Sequence, residues 1–550
     1  MKYIKFAMAI GIFFLWSCHS DKLQKEVASN SFTYKHIVVI GFDGLSPDGL
    51  KHAETPNFDR LITEGASTMQ ARAVLPTSSS TNWASMIMGA GPEQHGILSN
   101  SWERDNFVLP TVVQNEPYLF PTIFSHIRKA NPNAEIGTIY HWDGFGRLFE
   151  KSAVSYDING DSEDETEALA SAYIKDKNPD FTFIHFDHVD HAGHEFGHGT
   201  KEYYESVAKA DELLGKLIST IESSQLAKET LVIVSSDHGG IGKGHGGASL
   251  AEIEIPFILW GPHVKKGYHI KYPVYQYDNA ATVAYGFGLK LPIACIGKPV
   301  LEAFEGNEIS DDYAIIERQP APIIKPEAVL SKVAGGLFVN EATVSIESIA
   351  SEGIIRFTID GSMPKSTSGI YTEPFKVSSN TVIKAGIFKN GVLISSISDA
   401  YFRIREEKKK KPVGYKLFYL KDLKELPSVL GLEPDAIGTC FEFTSDEVAE
   451  PIKSNTVVVF SSKLIIDNED DYRFSTRSDD GSKLFIDGKE VVNNDGDHGI
   501  KEKSGKIHLK PGTYNINVHW FNGGGDGWLD VYYANSQFTR QILPTSMLAL

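Results

Sequence analysis

The chain has 550 residues, a net charge of −18, and a composition of 41% hydrophobic and 23% charged residues. That length is too great for one hydrophobic core and predicts three or four domains. The acidic balance excludes broad nucleic-acid binding, which needs a basic face for the phosphate backbone, so any phosphate chemistry must be local.

The N-terminal stretch MKYIKFAMAIGIFFLWSCHSDK places two lysines before an apolar run that is short for a membrane span. This is the pattern of a signal peptide. Its end, LWSC, resembles the lipobox of bacterial lipoproteins with Cys18 as the acylated residue, although Trp16 is bulkier than that motif usually carries. Residues 1–18 are expected to be a lipoprotein signal peptide and 19–33 a tether. The alternative is an ordinary signal peptide with an incidental cysteine. The expected location is the bacterial cell envelope, as an outer-membrane lipoprotein that touches the membrane only through its lipid anchor. Cys295 and Cys440 fall in different predicted domains and are expected to stay unpaired.

Residues 34–318 read as one α/β domain. Short β-rich runs (HIVVIGFD, EIGTIYHW, FTFIHFD, TLVIVSSD, PFILWG) alternate with helical stretches, among them one in which Val207, Ala210, Leu214, Leu217 and Ile221 recur at helical spacing. Continuous apolar strands with helices between them predict a mostly parallel sheet covered by helices on both faces. Such sheets place their sites beyond the carboxyl ends of the strands. Asp43, Asp190 with His194, and Asp237 with His238 all follow predicted strands. Carboxylate and imidazole together suit zinc or a similar divalent ion. Asp190 and His194, four apart, share one face of a helical turn. Adjacent Asp237 and His238 reach one ion only from a bent loop, which Gly239 and Gly240 supply.

The segments GFDG, TPNFDRLITEGA, PTSSSTNW, GPEQHGILSN, DHAGHEFG and SDHGG together resemble the alkaline phosphatase superfamily, closest to its nucleotide pyrophosphatase/phosphodiesterase branch. The resemblance implies a two-zinc hydrolase in which a Thr or Ser attacks phosphorus, and it places the nucleophile at Ser79. It implies that Asp43, Ser79, Asp237 and His238 hold one ion while Asp190 and His194 hold the other. His245 is the expected third ligand of the second ion by position alone, with His263 and His269 as alternatives. Asn100 matches an asparagine that points at a phosphate oxygen, where an amide donor stabilises developing charge; a turn asparagine is the other reading. Asn82 is read as support for the loop. Ser79 is expected to begin a helix, whose free N–H groups favour an anion. The Cys/Ser-x-Pro-x-Arg motif of the sulfatase branch is absent from this stretch. Related phosphomonoesterases carry Lys and Arg where this chain has Tyr140, His141 and Trp142, which favours a diester substrate, glycan- or nucleotide-linked. Arg147 is the residue able to reverse that choice.

Residues 319–404 resemble the small C-terminal sandwich of chitobiases and hexosaminidases. The charged run 405–412 reads as a solvated linker. Residues 413–550 resemble a PA14 domain, a second β-sandwich. In lectin-like members of that family a paired aspartate helps hold calcium and sugar, and Asp479 and Asp480 match it, although Asp-Asp-Gly also serves as a plain turn. Asn522, Asp526 and Trp528 would complete such a site, with Trp528 offering a stacking face. Both modules are expected to bind glycan and to take no part in the chemistry. The expected function is phosphodiester hydrolysis through a phosphoseryl intermediate. A phosphomonoesterase, or a surface glycan-binding lipoprotein with an inactive catalytic domain, is the alternative.

Overall fold

The computed structural model describes residues 33–308, 314–316, 318–328, 333–525 and 527–550. The expected signal peptide with Cys18, nearly all of the tether, and Asp526 lie outside them.

The first domain is built on eight strands: β1 (His36–Phe42), β2 (Ala66–Arg72), β3 (Ile136–Tyr140), β4 (Tyr156–Asn159), β5 (Phe181–Phe186), β6 (Thr230–Ser235), β7 (Glu254–Trp260) and β8 (Tyr268–His269). They form one sheet in the order β4-β3-β5-β1-β6-β7-β2-β8. Pairing is parallel from β4 through β6, and β7 runs antiparallel to both β6 and β2. Alternate residues of the central strands feed two cores. Ile37, Val39, Phe183 and Ile233 pack with helices Ser79–Met88, Ile123–Ala130 and Asp278–Gly286. Val38, Ile40, Ile184 and Val234 pack with helices Glu163–Lys177 and Lys201–Ser223. The sheet is therefore covered on both sides, as its apolar runs require.

Two all-β units follow. The small unit faces a sheet containing Thr381–Lys389 and Ser398–Arg405 against a three-stranded one, around Val344, Ile383 and Phe402. The last unit packs a seven-stranded sheet on a four-stranded one, around Phe460, Phe474 and Trp520.

The run 405–412 is mostly exposed, and some of its cations also have partners. Arg405 and Lys411 lie over the Phe441 ring at 4.3 and 5.8 Å. Beside it, the largely covered Arg403 guanidinium makes a forked ion pair with buried Glu442, its shortest contact 2.8 Å. Val382 and Tyr401 of the small unit share an apolar cluster with Tyr532 and Ile542 of the last. The two all-β units thus form one joined body. Cys295 and Cys440 are free thiols, Cys440 buried. No described helix is long and apolar enough to cross a membrane.

Candidate metal centre at the strand ends

Strand order explains why three separate motifs meet. β1 lies between β5 and β6, and all three are parallel, so the segments that leave their carboxyl ends converge. Asp43 follows β1, Asp237 and His238 follow β6, and helix His188–Phe196 after β5 carries Asp190 and His194.

Two groups of ligand atoms result. Asp43, Asp237 and His238 form one, and Asp190, His194 and His245 form the other. His238 Nε2 stands 3.5 Å from Asp43 Oδ1 and 3.2 Å from Asp237 Oδ2. Asp190 Oδ2 lies 3.2 Å from His194 Nε2 and 3.8 Å from His245 Nε2. His263 stands beside Glu305, and His269 is exposed on edge strand β8. His245 is therefore the histidine that reaches the second group.

The orientation of the three imidazoles bears on what these groups hold. The Nδ1 of His194 faces the Lys243 carbonyl at 2.8 Å, that of His238 the Gly239 carbonyl at 2.9 Å, and that of His245 the Thr77 carbonyl at 2.8 Å. A carbonyl only accepts, so each Nδ1 carries a proton and each Nε2 is turned toward carboxylate oxygens. Asp43 Oδ1, Asp190 Oδ1 and Asp237 Oδ2 are buried without a hydrogen-bond partner among the described residues. Burial, with Asp43 and Asp190 beside it, pushes the Asp237 carboxyl far above the ordinary range. Buried carboxylate oxygens that converge with imidazole Nε2 atoms repel one another unless a cation, proton or metal, lies between them. The donor set fits divalent ions.

The hydrogen bond that His194 Nε2–H donates to the Asp190 carboxylate raises His194 to about 9. A metal ion must displace that proton, so ion binding should release it and tighten as pH rises through about 9. Chelator-competition titrations at pH 7 and 9, with proton release followed by indicator dye, check this; the same zinc affinity at both values would contradict it.

Ser79 is the first residue of helix Ser79–Met88 and is buried. Its Oγ lies 3.2 Å from His238 Nε2, beside the first group. Asn100 accepts the Ser80 N–H at 2.8 Å through Oδ1, which leaves its Nδ2 3.5 Å from Ser79 Oγ. Asn82 holds the loop: its Oδ1 accepts the Val74 N–H, while Nδ2 faces the carbonyls of Val74, Pro76 and Ser78. Thr77 ties the two halves together, donating to the Gly247 carbonyl and accepting from the Gly246 N–H.

Several contributors are not evident from the motifs. Trp83 donates its indole N–H to Asp43 Oδ2 at 2.9 Å. His185 Nε2 lies 3.4 Å from the same oxygen, and with Asp187 and Asp43 it makes a third group of ligand type. Buried His198 approaches Asp190 Oδ1 at 4.0 Å. Only their positions at and just beyond the end of β5, in HFDHVDHAGHEFGH, hinted at His185, Asp187 and His198. Losing the indole donor should loosen Asp43, so Trp83→Phe is expected to weaken the first ion's binding by about tenfold. Metal-binding isotherms of the two proteins test this, and equal affinities would assign Trp83 to packing alone.

The expected substrate wall changes in part. Tyr140 is buried in the core beneath Lys151, which is itself paired with Asp157 at 2.7 Å. His141 and Trp142 remain partly exposed. Arg147 does reach the Ser79 loop, contacting Ser80 Oγ at 3.1 Å and the Asn100 carbonyl, and it pairs with Glu103 at 2.7 Å.

In the last domain the residues expected to form a calcium or sugar site are engaged with their neighbours. Asp479, Asp480, Asn522 and Trp528 are all buried, Trp528 being only 7% exposed. Arg477 covers the Trp528 ring at 4.9 Å and Asp530 takes its N–H, so the ring presents no open stacking face. Asn522 donates to the Lys453 and Gly525 carbonyls. Asp480 accepts the N–H groups of His498 and Gly523 at 2.9 and 2.7 Å, tying two loops together.

Residues 37–242 match the family model for type I phosphodiesterase/nucleotide pyrophosphatase. Residues 333–398 match the chitobiase/beta-hexosaminidase C-terminal domain and 413–544 the PA14 domain. The bis(5'-adenosyl)-triphosphatase ENPP4 of Bos taurus is 27% identical over 223 residues, covering 38% of this chain and 49% of its own length. The catalytic subunit of GPI ethanolamine phosphate transferase 2 of Homo sapiens is 24% identical over 313 residues, covering 53% of this chain and 30% of its own. Murine ectonucleotide pyrophosphatase/phosphodiesterase 5 with AMP, a solved structure, is 17% identical with a TM-score of 0.42, covering 47% of this chain and 96% of that one. The chain spans about half the length of the ENPP4 relatives it matches.

Proposed function

We propose that this chain, which belongs through residues 37–242 to the type I phosphodiesterase/nucleotide pyrophosphatase family, hydrolyses phosphodiesters at the bacterial cell envelope with two divalent ions, zinc or similar. The observation that carries the reading is the set of three imidazoles, each with Nδ1 held by a backbone carbonyl and Nε2 turned to the Asp43, Asp190 and Asp237 carboxylates.

Asp43, Ser79, Asp237 and His238 would hold one ion, and Asp190, His194 and His245 the other. Bound there, the ions supply Lewis acidity and lower the pKa of the Ser79 hydroxyl. Ser79 Oγ forms the bond to phosphorus as the ester oxygen leaves with its electron pair, giving a phosphoseryl enzyme that water then hydrolyses. The Asn100 amide N–H donates to a non-bridging phosphate oxygen as charge builds on it. The helix that begins at Ser79 adds its N-terminal dipole in the same direction.

A diester is favoured because Arg147 is already engaged by Glu103 and by the Asn100 carbonyl. A phosphomonoesterase is the second reading, since the same arginine stands beside the nucleophile loop. The substrate class is a phosphodiester, nucleotide- or glycan-linked, and the C-terminal modules are proposed to bring the enzyme to glycan. Calcium in the PA14 domain, through Asp479 and Asp480, belongs to the same proposal, as does lipid attachment at Cys18. Rates on bis-p-nitrophenyl and p-nitrophenyl phosphate, measured with metal content on the full chain, decide between the readings. Faster diester hydrolysis with about two ions per chain supports the proposal. Faster monoester hydrolysis selects the phosphomonoesterase, and no turnover with metal bound selects the inactive binding protein.

A further inference from the structure

The loop that carries His245 is mostly glycine from Gly239 to Gly247. Such a chain has little intrinsic preference for one shape, so its shape has to be imposed by what it touches. On the inner side it is held by Thr77 and by the His194 contact to the Lys243 carbonyl. On the outer side it meets the PA14 domain. A side-chain carbon at Gly242 would stand 3.1 Å from Ile500 Cδ1, and one at Gly244 would stand 3.6 Å from Gly499 Cα. In the other direction, a carbon at Gly499 would be 3.6 Å from the His245 carbonyl oxygen. The two backbones lie close enough that a single added methyl group on either would touch the other, across more than 250 residues of sequence.

The PA14 side of this contact is braced. The His498 ring spans its own loop, with Nδ1 against the Gly499 carbonyl at 2.7 Å and Nε2 against the Asn494 carbonyl at 3.0 Å. Asp480 holds the His498 N–H. The small sandwich fixes the whole domain through the Arg403–Glu442 pair and the cluster of Val382, Tyr401, Tyr532 and Ile542.

We propose that the PA14 segment His498–Ile500 is a positioning element of the active site, clamping the glycine loop so that His245 and the Lys243 carbonyl, which orients His194, stay in register for the second ion. The proposal rests on the reading of Asp190, His194 and His245 as ligands. It departs from the expectation that the C-terminal modules stand apart from the chemistry.

Two measurements on the full chain test it. In the double variant Gly244→Cys, Gly499→Cys, mild oxidation should form a crosslink detectable by peptide mass mapping, whether or not metal binds. Failure of the crosslink would overturn the apposition itself. In Ile500→Asp, the second zinc should bind about tenfold more weakly, with kcat on bis-p-nitrophenyl phosphate lost at limiting zinc and restored by excess zinc, while Ile500→Leu stays as the parent. Unchanged zinc affinity in Ile500→Asp, or a loss that excess zinc does not restore, would overturn the clamping role. A parent chain that binds no second ion, with the crosslink formed, would instead refute the ligand reading.

Discussion

Ser79→Ala is expected to lower turnover of bis-p-nitrophenyl phosphate by about 10^4-fold or more while the protein keeps its metal. The oxygen removed is the one beside His238 Nε2 and Asn100 Nδ2. No neighbour can replace it. Thr77 Oγ1 is committed to the Gly247 carbonyl, Ser78 Oγ shares a hydrogen bond with Thr81, and Ser80 Oγ faces Arg147. The helix itself should survive, because the N-cap is Ser78 rather than Ser79 and alanine favours helix. Ser79→Thr retains the hydroxyl and should keep part of the rate. Quenched-flow trapping of a phosphoprotein in the parent, absent in Ser79→Ala, gives a direct check. Inactivity of Ser78→Ala or Ser80→Ala with full activity in Ser79→Ala would move the nucleophile.

Replacing His245 with alanine is expected to reduce bound zinc from about two ions to about one and to lower turnover by roughly 10^2-fold or more. The reasoning is geometric: His245 closes the group containing Asp190 and His194, and its ring stacks on His238 at 3.8 Å between centroids. Its removal leaves Asp190 with His194 as its partner in that group and takes away the hydrogen bond from Nδ1 to the Thr77 carbonyl. His269→Ala, on an exposed edge strand, should leave metal content unchanged. Elemental analysis of the purified proteins reads both outcomes. Two ions in His245→Ala would remove it from the ligand set, and a single ion in His269→Ala would put that histidine there instead.

The amino-acid sequence determined a good deal of this protein directly, because some information is local. Apolar runs marked the strands, and the residue following each run was readable without knowing the strand order; this is why Asp43, Asp237 and His238 stand out. The four-residue spacing of Asp190 and His194 is a property of one helix. The serine-rich stretch likewise announced a helix start, and Ser79 is the first residue of that helix.

Other features belong only to the tertiary structure. That β1 lies between β5 and β6, so that the three segments share one space, depends on sheet order rather than on any one segment. The choice of His245 over His263 and His269 required knowing where a glycine-rich loop turns. Trp528 looked suited to a sugar because aromatic rings near aspartates often are; whether a ring is open to solvent depends on neighbours such as Arg477, supplied by another strand. The run 405–412 reads as solvated because charge usually seeks water, and only the tertiary structure gives its cations further partners in Phe441 and the Leu548 carbonyl. The contact of Ile500 and Gly499 with the His245 loop joins segments more than 250 residues apart. No local propensity encodes such a contact, because it exists only once the first domain and the PA14 domain have packed against one another.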